Sequence, residues 1–365
     1  MKLSTGREAL LRPLQAVIGV VERRQTMPIL ANVLLAARDG RLSITATDLE
    51  VELVATTELE VDSAGEVTVP GRKLLDICKA LPEGADVTLS QSGEKMTVKS
   101  GRSKFTLATL PAAEFPTVED ISADQPITLP QAMLSELLEK THFAMAQQDV
   151  RYYLNGLLIE TGNGTVRSVA TDGHRLALCQ VGVDGGKLPE KQVIVPRKGV
   201  LELQRLLTGD GDLSVALGSN HIRIQLDGIR FTSKLIDGRF PEYDRVIPKN
   251  PGNELIGDRV LLKSAMQRTA ILSNEKYRGI RLMLNDKGLR LQAHNPEQEE
   301  AEEDMEIKYT GEEIEIGFNV NYLLDALGAV TSEEVSMAFV DANSSCLISE
   351  PGNDSRKYVV MPMRL

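Results

Sequence analysis

The chain has 365 residues, 42% hydrophobic and 25% charged, and this composition predicts a soluble globular protein of two or three domains. Its formal net charge of -11 excludes a protein that coats DNA by bulk positive charge, but it leaves open positive groups confined to one surface. The sequence has no run suited to a signal peptide or a membrane span. Its three cysteines are far apart and do not suggest a disulfide framework. We therefore expect a cytoplasmic protein with buried thiols.

The first predicted element is an amphipathic helix in REALLRPLQAVIGVV, residues 7–21. Its apolar residues, among them Leu10, Leu14 and Val17, recur at the spacing that keeps them on one helical face. Similar helices are predicted at residues 130–145 and 258–272.

After each of these helices one pattern repeats: an apolar strand, a turn containing Gly, an alternating strand and a polar turn. The three copies cover residues 27–52, 150–177 and 277–302. The matching polar residues are Asp48, Asp172 and Asn295, at intervals of 124 and 123 residues. A second set of matches, each a strand end followed by a helix, is centred on Pro70, Pro196 and Asn319. These regular intervals predict three copies of one module.

Each module is itself double, because three further alternating strands follow its second helix. They are predicted at residues 85–110 and again at 212–235. The fold class is therefore α+β, with antiparallel sheets covering pairs of helices. We place the modules at 1–122, 123–250 and 251–365, because Pro-rich or polar stretches follow the two Phe-Pro pairs.

An open row of three modules would expose one sheet edge at each end, and such edges invite pairing. Residues 297–306 carry seven acidic residues and no basic one. The outer strands of the first module carry Lys95, Lys99, Arg102 and Lys104. Complementary charge of this kind favours head-to-tail association, which closes into a ring when the rotation permits. The alternative is that the acidic run is simply a solvated surface.

The strongest candidate for catalysis is Thr171-Asp172-Gly173-His174-Arg175. Side chains two residues apart in a tight turn are poorly placed for an oriented acid–base pair, and His174 has no neighbouring ligand for a metal. The sequence has no nucleophile elbow, phosphate-binding loop or calcium loop. We predict neither catalytic activity nor a cofactor, although a metal-dependent nuclease using the acidic run stays a third possibility.

Two surfaces are candidates for binding. Basic and polar residues recur near helices at Arg23–Arg24, Arg72–Lys73, Gln148, Arg151–Tyr153 and Arg197–Lys198. Such groups would position DNA through its phosphates without reading its sequence. The second surface is the C-terminal YVVMPMRL, residues 358–365, because exposed Met side chains suit a groove that accepts several partners.

These motifs, in this order, resemble the bacterial sliding clamp family, the beta subunits of DNA polymerase III. The resemblance runs from end to end. It is carried by MPIL (27–30), GRSKF (101–105), QDVRYYLNG (148–156), ATDGHRLA (170–177), VPRKG (195–199), SKLIDGRFP (233–241), AILSNEKYRG (270–279), NPEQEEAEE (295–303) and YVVMPMRL (358–365).

The resemblance implies the DNA-clamp fold, in which a head-to-tail homodimer forms a ring around duplex DNA with helices lining the hole. It implies a non-catalytic processivity factor without a cofactor. Its expected partners are the replicative polymerase, an ATP-driven clamp loader and other proteins with a clamp-binding motif.

The resemblance also implies site residues. DNA contacts would come from Arg24, Arg72, Gln148, Tyr152, Tyr153, Arg197 and Lys198. A partner-peptide groove would comprise Leu154, Thr171, Gly173, His174, Arg175, Leu176, Pro241, Arg245, Val246, Asn319, Tyr322, Val360, Met361, Pro362, Met363 and Arg364. The dimer seam would join Ile271, Leu272, Glu299, Glu300, Glu302 and Glu303 to Lys73, Lys95, Arg102, Lys104 and Leu107.

The residues alone also permit a repeat-built interaction scaffold that does not bind DNA. A neutral or acidic ring lining would favour that scaffold, and metal-dependent DNA cleavage would favour the nuclease.

Overall fold

The computed structural model describes residues 1–22, 27–118, 126–183 and 188–364. In this part of the chain the order strand, helix, three strands occurs six times, twice in each predicted module. The predicted threefold repeat and its internal doubling are therefore confirmed. None of the helices described is long and apolar enough to cross a membrane.

The first module begins with a strand that leads directly into a helix. Its strands are β1 (Lys2–Gly6), β2 (Asn32–Arg38), β3 (Arg41–Thr47), β4 (Val51–Glu58), β5 (Val61–Ser63), β6 (Gly65–Pro70), β7 (Asp86–Ser92), β8 (Lys95–Ser100) and β9 (Ser103–Ala108). Its helices are α1 (Arg7–Val17) and α2 (Gly71–Ala80), with short 3₁₀ helices at Ile18–Val20, Pro28–Ala31 and Ala112–Glu114.

The second module repeats this order. Its strands are β10 (Ile127–Pro130), β11 (Gly156–Gly162), β12 (Thr165–Thr171), β13 (Arg175–Gly182), β14 (Lys191–Pro196), β15 (Asp212–Leu217), β16 (His221–Leu226) and β17 (Ile229–Lys234). Its helices are α3 (Gln131–Glu139) and α4 (Arg197–Leu206), with 3₁₀ helices at His142–Ala144, Tyr152–Asn155 and Tyr243–Arg245.

The third module completes the series. Its strands are β18 (Asn253–Asp258), β19 (Gly279–Asn285), β20 (Gly288–His294), β21 (Glu300–Met305), β22 (Lys308–Thr310), β23 (Ile314–Asn319), β24 (Glu334–Phe339), β25 (Cys346–Glu350) and β26 (Asn353–Val360). Its helices are α5 (Arg259–Thr269) and α6 (Val320–Ala329), with a 3₁₀ helix at Ala270–Leu272.

The predicted strand-to-helix breaks lie where the sequence placed them. Strands β6, β14 and β23 end at Pro70, Pro196 and Asn319, and a helix begins at the next residue each time. The Asn319 side chain accepts a hydrogen bond from the Asn321 N–H and so caps α6. Asp258 caps α5 by accepting from the Leu261 N–H.

The chain divides into two compact units, Met1–Ala132 with Lys198–Leu235 and Met133–Arg197 with Ile236–Leu365. The first contains a sheet in the order β5-β1-β7-β8-β9 and a larger one in the order β10-β15-β16-β17-β4-β3-β2-β6. The larger sheet combines strands of two modules, since β17 pairs antiparallel with β4. The proposed module boundaries stay a prediction, and the first of them, at 122/123, lies outside the described residues.

The second unit is built in the same way. Its larger sheet has the order β14-β11-β12-β13-β26-β25-β24-β18-β22, and its smaller sheet has the order β21-β20-β19-β23. Strand β13 of the second module pairs antiparallel with β26 of the third. This pairing brings the end of β26 beside the ATDGHRLA motif.

Two of the three repeated polar residues close equivalent turns, whereas Asn295 Oδ1 accepts from the Glu299 N–H, four residues ahead, at 2.9 Å. Asp48 Oδ1 accepts from the N–H groups of Glu50 and Val51, at 2.9 and 2.7 Å. Asp172 Oδ1 accepts in the same way from His174 and Arg175, at 2.9 and 3.1 Å. These are Asx turns, in which a short polar side chain binds the backbone just ahead of it. The Asp172 carboxylate therefore holds a turn between strands.

The three thiols are buried, as the sequence predicted. Burial raises the pKa of Cys78 and of Cys179 to about 11, because an apolar environment disfavours the thiolate.

Candidate functional site

The predicted peptide groove is framed by two paired strands. Strand β13 pairs with β26 in the register Arg175 to Val360 and Leu176 to Val359. Beyond β26 the chain continues as the tail, Met361–Arg364. The tail is fixed by two backbone hydrogen bonds, from the Met361 N–H to the His174 carbonyl at 2.9 Å and from the Met363 N–H to the Gly317 carbonyl at 2.8 Å.

Between these elements lies a cavity of about 170 Å³, which we call the groove cavity. A buried cluster that includes Leu176, Tyr243 and Val359 packs beneath it. Of the predicted groove residues, those that line it are Leu154, Thr171, Gly173, Arg175, Leu176, Pro241, Val246 and Met361. These residues lie far apart in sequence, and the β13–β26 pairing brings them together.

Gly173 lines the groove cavity. Its φ of +90° is in the left-handed region, and a Cβ there would lie 3.0 Å from the guanidinium nitrogens of Arg151. That guanidinium is held by Asp149 through two hydrogen bonds of 3.0 and 2.8 Å, and they lower the pKa of Asp149 to about 2. Arg151 also lines the groove cavity. The glycine therefore leaves room for a fixed cation.

Arg175 connects the groove to helix α6. Its guanidinium donates to Asp172 Oδ2 at 3.1 Å, to Asp325 Oδ2 at 2.5 Å and to the Phe143 carbonyl at 2.8 Å. It also stacks 4.6 Å from the centre of the Tyr322 ring. Tyr322 contributes to the site by positioning Arg175, since it does not line the groove cavity.

The other predicted groove residues lie around this centre. His174 is exposed, and Val360 is 1% exposed because it pairs on both sides within the sheet. Arg245 forms an ion pair with Glu242 at 2.5 Å. Asn319 is occupied structurally, because its side chain caps α6 and donates to the Tyr277 carbonyl at 3.2 Å. Pro362, Met363 and Arg364 form the tail itself.

Sequence reasoning did not assign to the groove five residues that line its cavity. They are Arg151, Tyr153, Glu242, Tyr243 and Val359, and Tyr153 had been predicted as a DNA contact instead. The Tyr243 ring packs in the buried cluster, while its hydroxyl donates to Glu160 and accepts from Arg167 Nη1 at 2.8 Å. Burial and Glu160 raise the pKa of Tyr243. Arg151 was noticed in the sequence only as part of a basic surface, and its pairing with Asp149 two residues away was the available signal.

The first module has a different chemistry at the matching positions. Leu49 lies where the second module has Gly173, with a φ of +76°, and Glu52 lies where it has Leu176. Glu52 is 2% exposed and accepts a hydrogen bond from the Val118 N–H at 3.0 Å. A buried carboxylate stands there in place of the apolar Leu176, so the matching turn of the first module does not offer the apolar lining of the groove cavity.

The predicted DNA contacts include one exposed loop. Gln148 has a φ of +57° and is exposed, and Tyr152 is 57% exposed. Tyr153 packs against Tyr152 edge-on, with ring centres 5.9 Å apart. An exposed amide and an exposed phenol on a short loop can donate hydrogen bonds to phosphate oxygens.

The side chains of the remaining predicted DNA contacts are held by other groups of the protein. Arg72 donates to the Val21 carbonyl at 2.9 Å, and Arg197 lies 3.5 Å from the Met145 carbonyl. Lys198 forms an ion pair with the buried carboxylate of Asp48, although 42% of its side chain stays exposed. Arg24 lies outside the described residues.

Most of the predicted seam residues lie on or beside the edge strands β9 and β21, whereas Lys73 is in α2 and both Ile271 and Leu272 are in the 3₁₀ helix that follows α5. Strand β9 is at the edge of its sheet, and β21 is at the edge of its own. Ile271 is 73% exposed in the 3₁₀ helix that follows α5, whereas Leu107 is only 7% exposed within its own module. The exposed members of the basic set are Lys73, Lys95, Arg102 and Lys104.

The acidic run is engaged in polar contacts. Arg268 pairs with Glu303, Arg290 pairs with Asp304 at 2.7 Å, and Gln292 donates to Glu302 at 2.9 Å. Hydrogen bonding from Arg290 lowers the pKa of Asp304. Across the described part of the chain, no group of three or more His, Cys, Asp or Glu side chains is arranged to hold a metal ion.

Comparison with known families matches all three modules in order. The N-terminal domain of the DNA polymerase III beta subunit matches residues 1–119, its central domain matches 128–242, and its C-terminal domain matches 244–364.

Individual relatives match from end to end. A beta sliding clamp of Pseudomonas putida is 56% identical, with both chains covered completely. The crystal structure of the DNA polymerase III beta subunit from Pseudomonas aeruginosa is 55% identical and superposes with a TM-score of 0.98 over the whole of both chains. A second structure of the Pseudomonas aeruginosa clamp, bound to griselimycin, has a TM-score of 0.97 at 55% identity, again with both chains fully covered.

Proposed function

The chain belongs to the DNA polymerase III beta subunit family, and from that premise we propose how its own residues carry out the work of a sliding clamp. The observation that carries the function is the match of all three modules, in order, to the three domains of that family. A clamp tethers the replicative polymerase to DNA. The scaffold without DNA is not favoured, because full-length relatives at 54% to 56% identity are sliding clamps.

Two chains associate head to tail in this proposal and close a ring around the duplex. The edge strand β21 carries Glu300, Glu302 and Asp304, and the edge strand β9 carries Lys104. Pairing these edges between chains would satisfy their free backbone groups and bring opposite charges together. The ring acts as a non-catalytic processivity factor in the cytoplasm, and a clamp-loader ATPase opens it.

DNA is held by topology more than by affinity. A net charge of -11 repels DNA from most of the surface, whereas the loop at Gln148 and Tyr152 and a few arginines contact phosphates in the hole. Strong phosphate binding would create drag. Weak contacts inside a closed ring retain the duplex and still let the ring slide.

Retention on circular and on linear DNA tests this function directly. We expect the loaded protein to stay on nicked circular DNA at a salt concentration that strips proteins held only by phosphate contacts. Cutting the circle should release it through the free ends. Gel filtration of the labelled protein with DNA before and after the cut measures both states. Equal loss from circular and linear DNA would contradict a topological link.

The groove cavity is the docking site for partner peptides in this proposal. Its apolar floor and the neighbouring tail suit one or two large apolar anchors, and the flexible Met361 lets different sequences pack. The griselimycin complex of the Pseudomonas aeruginosa clamp supports ligand binding by a relative of this chain. The polymerase and the loader would reach the same groove in turn.

Removing residues 361–365 tests the groove. The truncated protein is expected to lose binding of the polymerase and the loader, because the tail forms one wall of the site. It should stay dimeric by sedimentation, because the proposed seam lies on other elements. Binding is measured by surface plasmon resonance with immobilised polymerase. Unchanged affinity would place the docking site elsewhere.

A further inference from the structure

A second cavity, which we call the tail cavity, lies beyond the groove at the far end of the tail. It has a volume of about 290 Å³ and rests on the four-stranded sheet of the second unit. Met363 and Arg364 of the tail form one wall, and Arg281 of β19 and His294 of β20 contribute to the opposite side. Nothing in the proposed function uses this space.

The tail cavity has a positive and partly aromatic lining. Its charged lining residues are Arg281 and Arg364, His294 adds an imidazole ring, and no acidic side chain lines it among the described lining residues. Arg281 pairs with Glu315 at 2.9 Å, but about a third of its side chain stays exposed. Tyr277 adds a ring that is 56% exposed. A lining of this kind favours a carboxylate carried on a chain with some apolar surface.

The tail makes the two cavities neighbours. Met361 lines the groove cavity and Met363 lines the tail cavity. Two extended residues cover roughly 7 Å, so a bound peptide running beside the tail needs only two or three residues to pass between the cavities. Backbone hydrogen bonds at Met361 and Met363 hold the tail in the extended form that this path requires.

We propose that the tail cavity receives the continuation of a partner peptide whose apolar anchors occupy the groove cavity, and that this continuation carries an Asp or Glu side chain. The inference rests on the groove being the peptide site. The acidic flank adds specificity: partners share the apolar anchors, and those with a carboxylate two or three residues away bind more tightly.

Fluorescence anisotropy with synthetic peptides tests the inference on the full-length protein. Each labelled peptide has two leucine anchors and a three-residue flank that ends in Glu, Gln or Lys, placed at either end in turn. At one of the two ends we expect the Glu peptide to bind about three to ten times more tightly than the Gln peptide, and the Lys peptide to bind most weakly. The difference should shrink in 0.5 M salt, because the charges are partly exposed.

Two variants assign the effect to the cavity. Arg281→Gln should remove most of the preference for Glu over Gln and leave the affinity of the Gln peptide unchanged. Arg290→Gln is the matched control, because Arg290 lies on the same sheet and pairs with Asp304 at 2.7 Å but does not line the tail cavity. A thermal melt confirms that both variants are folded.

The outcomes separate the two proposals. If the Gln peptide does not bind at all, the groove proposal itself fails. If it binds but Glu, Gln and Lys peptides bind equally at both ends, the groove stands and the tail cavity proposal is overturned. An equal effect of Arg290→Gln and Arg281→Gln would also overturn it, because it would show attraction by overall charge.

Discussion

At the scale of single residues, the groove depends on Gly173, and the neighbouring Arg151 explains why a glycine is needed there. Leu49 adopts a φ of +76° in the matching turn of the first module, so the backbone conformation alone does not require glycine at this position. What differs is Arg151, which stands 3.0 Å from the point that a Cβ on Gly173 would occupy. Close packing against a fixed guanidinium is therefore the stronger reason for Gly173.

Replacing this glycine gives a prediction at the same scale. Gly173→Ala should distort the groove, because Arg151 must move away from Asp149. We expect the free energy of peptide binding to become less favourable by about 1 kcal/mol, which weakens binding by roughly tenfold or less. Gly182→Ala is the control, since Gly182 ends β13, the strand that follows the Gly173 turn, and has open space around it. Isothermal titration with a two-leucine peptide measures the change. Equal affinities for the two variants would contradict this role of Arg151.

At the scale of elements, β26 is anchored before it reaches the groove. Arg356 donates to Glu136 of α3 at 2.6 Å and to Glu350 of β25 at 3.0 Å. Burial raises the pKa of Glu350, but hydrogen bonds from Thr331 and Asn353 outweigh this and bring it down to about 2. The cluster holds the end of β25 against the start of β26, and so it supports the strand that positions the tail.

This anchor predicts an acid-sensitive contribution to stability. Because the pKa of Glu350 is lower in the folded chain than its usual value of 4.5, its contribution is fully present above pH 4.5. It is lost as the pH falls towards 2. Glu350→Gln should lower the free energy of unfolding by about 2–3 kcal/mol at pH 7, and by progressively less below pH 4.5. Urea unfolding at several pH values measures this, with the exposed Glu334→Gln on β24 as control. A constant difference between wild type and Glu350→Gln from pH 7 to pH 3 would contradict the assignment.

The elements themselves were predictable because their signals are local. The ends of β6, β14 and β23 follow from Pro70, Pro196 and Asn319, and the helices follow from their apolar spacing. The sheets that combine two modules were not predictable. Packing between distant segments decides which edge strands pair. Strands β13 and β26, for example, are about 180 residues apart, and no local sequence pattern predicts that they pair.

The same limit applies to the site. Resemblance placed Gly173, Leu176 and Met361 in the groove, and they line its cavity. It did not assign Tyr243, whose ring enters the groove floor because its hydroxyl is held by Glu160 and Arg167 on other strands. It grouped Asn319 with the groove, which stays a prediction, and it did not reveal that the Asn319 side chain caps α6. Such roles depend on three-dimensional neighbours, which spacing along the chain does not reveal.

At the scale of the whole molecule, the proposed function depends on closing a ring, and the proposed seam has one exposed apolar centre. Ile271 is 73% exposed in the 3₁₀ helix that follows α5, next to half-buried Leu272. The charged residues of β21 and Lys104 of β9 would surround it. Exposed ion pairs contribute little to affinity, so most of the association energy should come from the apolar pair.

Replacing the apolar centre should therefore open the ring. A head-to-tail dimer has two identical seams, so the double variant Ile271→Ala with Leu272→Ala loses apolar contact twice, at about 1.5–3 kcal/mol for each large side chain. We expect monomers in sedimentation velocity at micromolar concentration, and loss of retention on circular DNA. Peptide binding should persist, because the groove cavity is lined entirely by residues of the second unit. Val260→Ala with Leu261→Ala is the matched control, since this pair is 56% and 61% exposed at the beginning of α5, whereas Ile271 and Leu272 follow its other end. If the dimer survives the Ile271 and Leu272 substitutions but dissociates with those at Val260 and Leu261, the seam lies at the beginning of α5 instead.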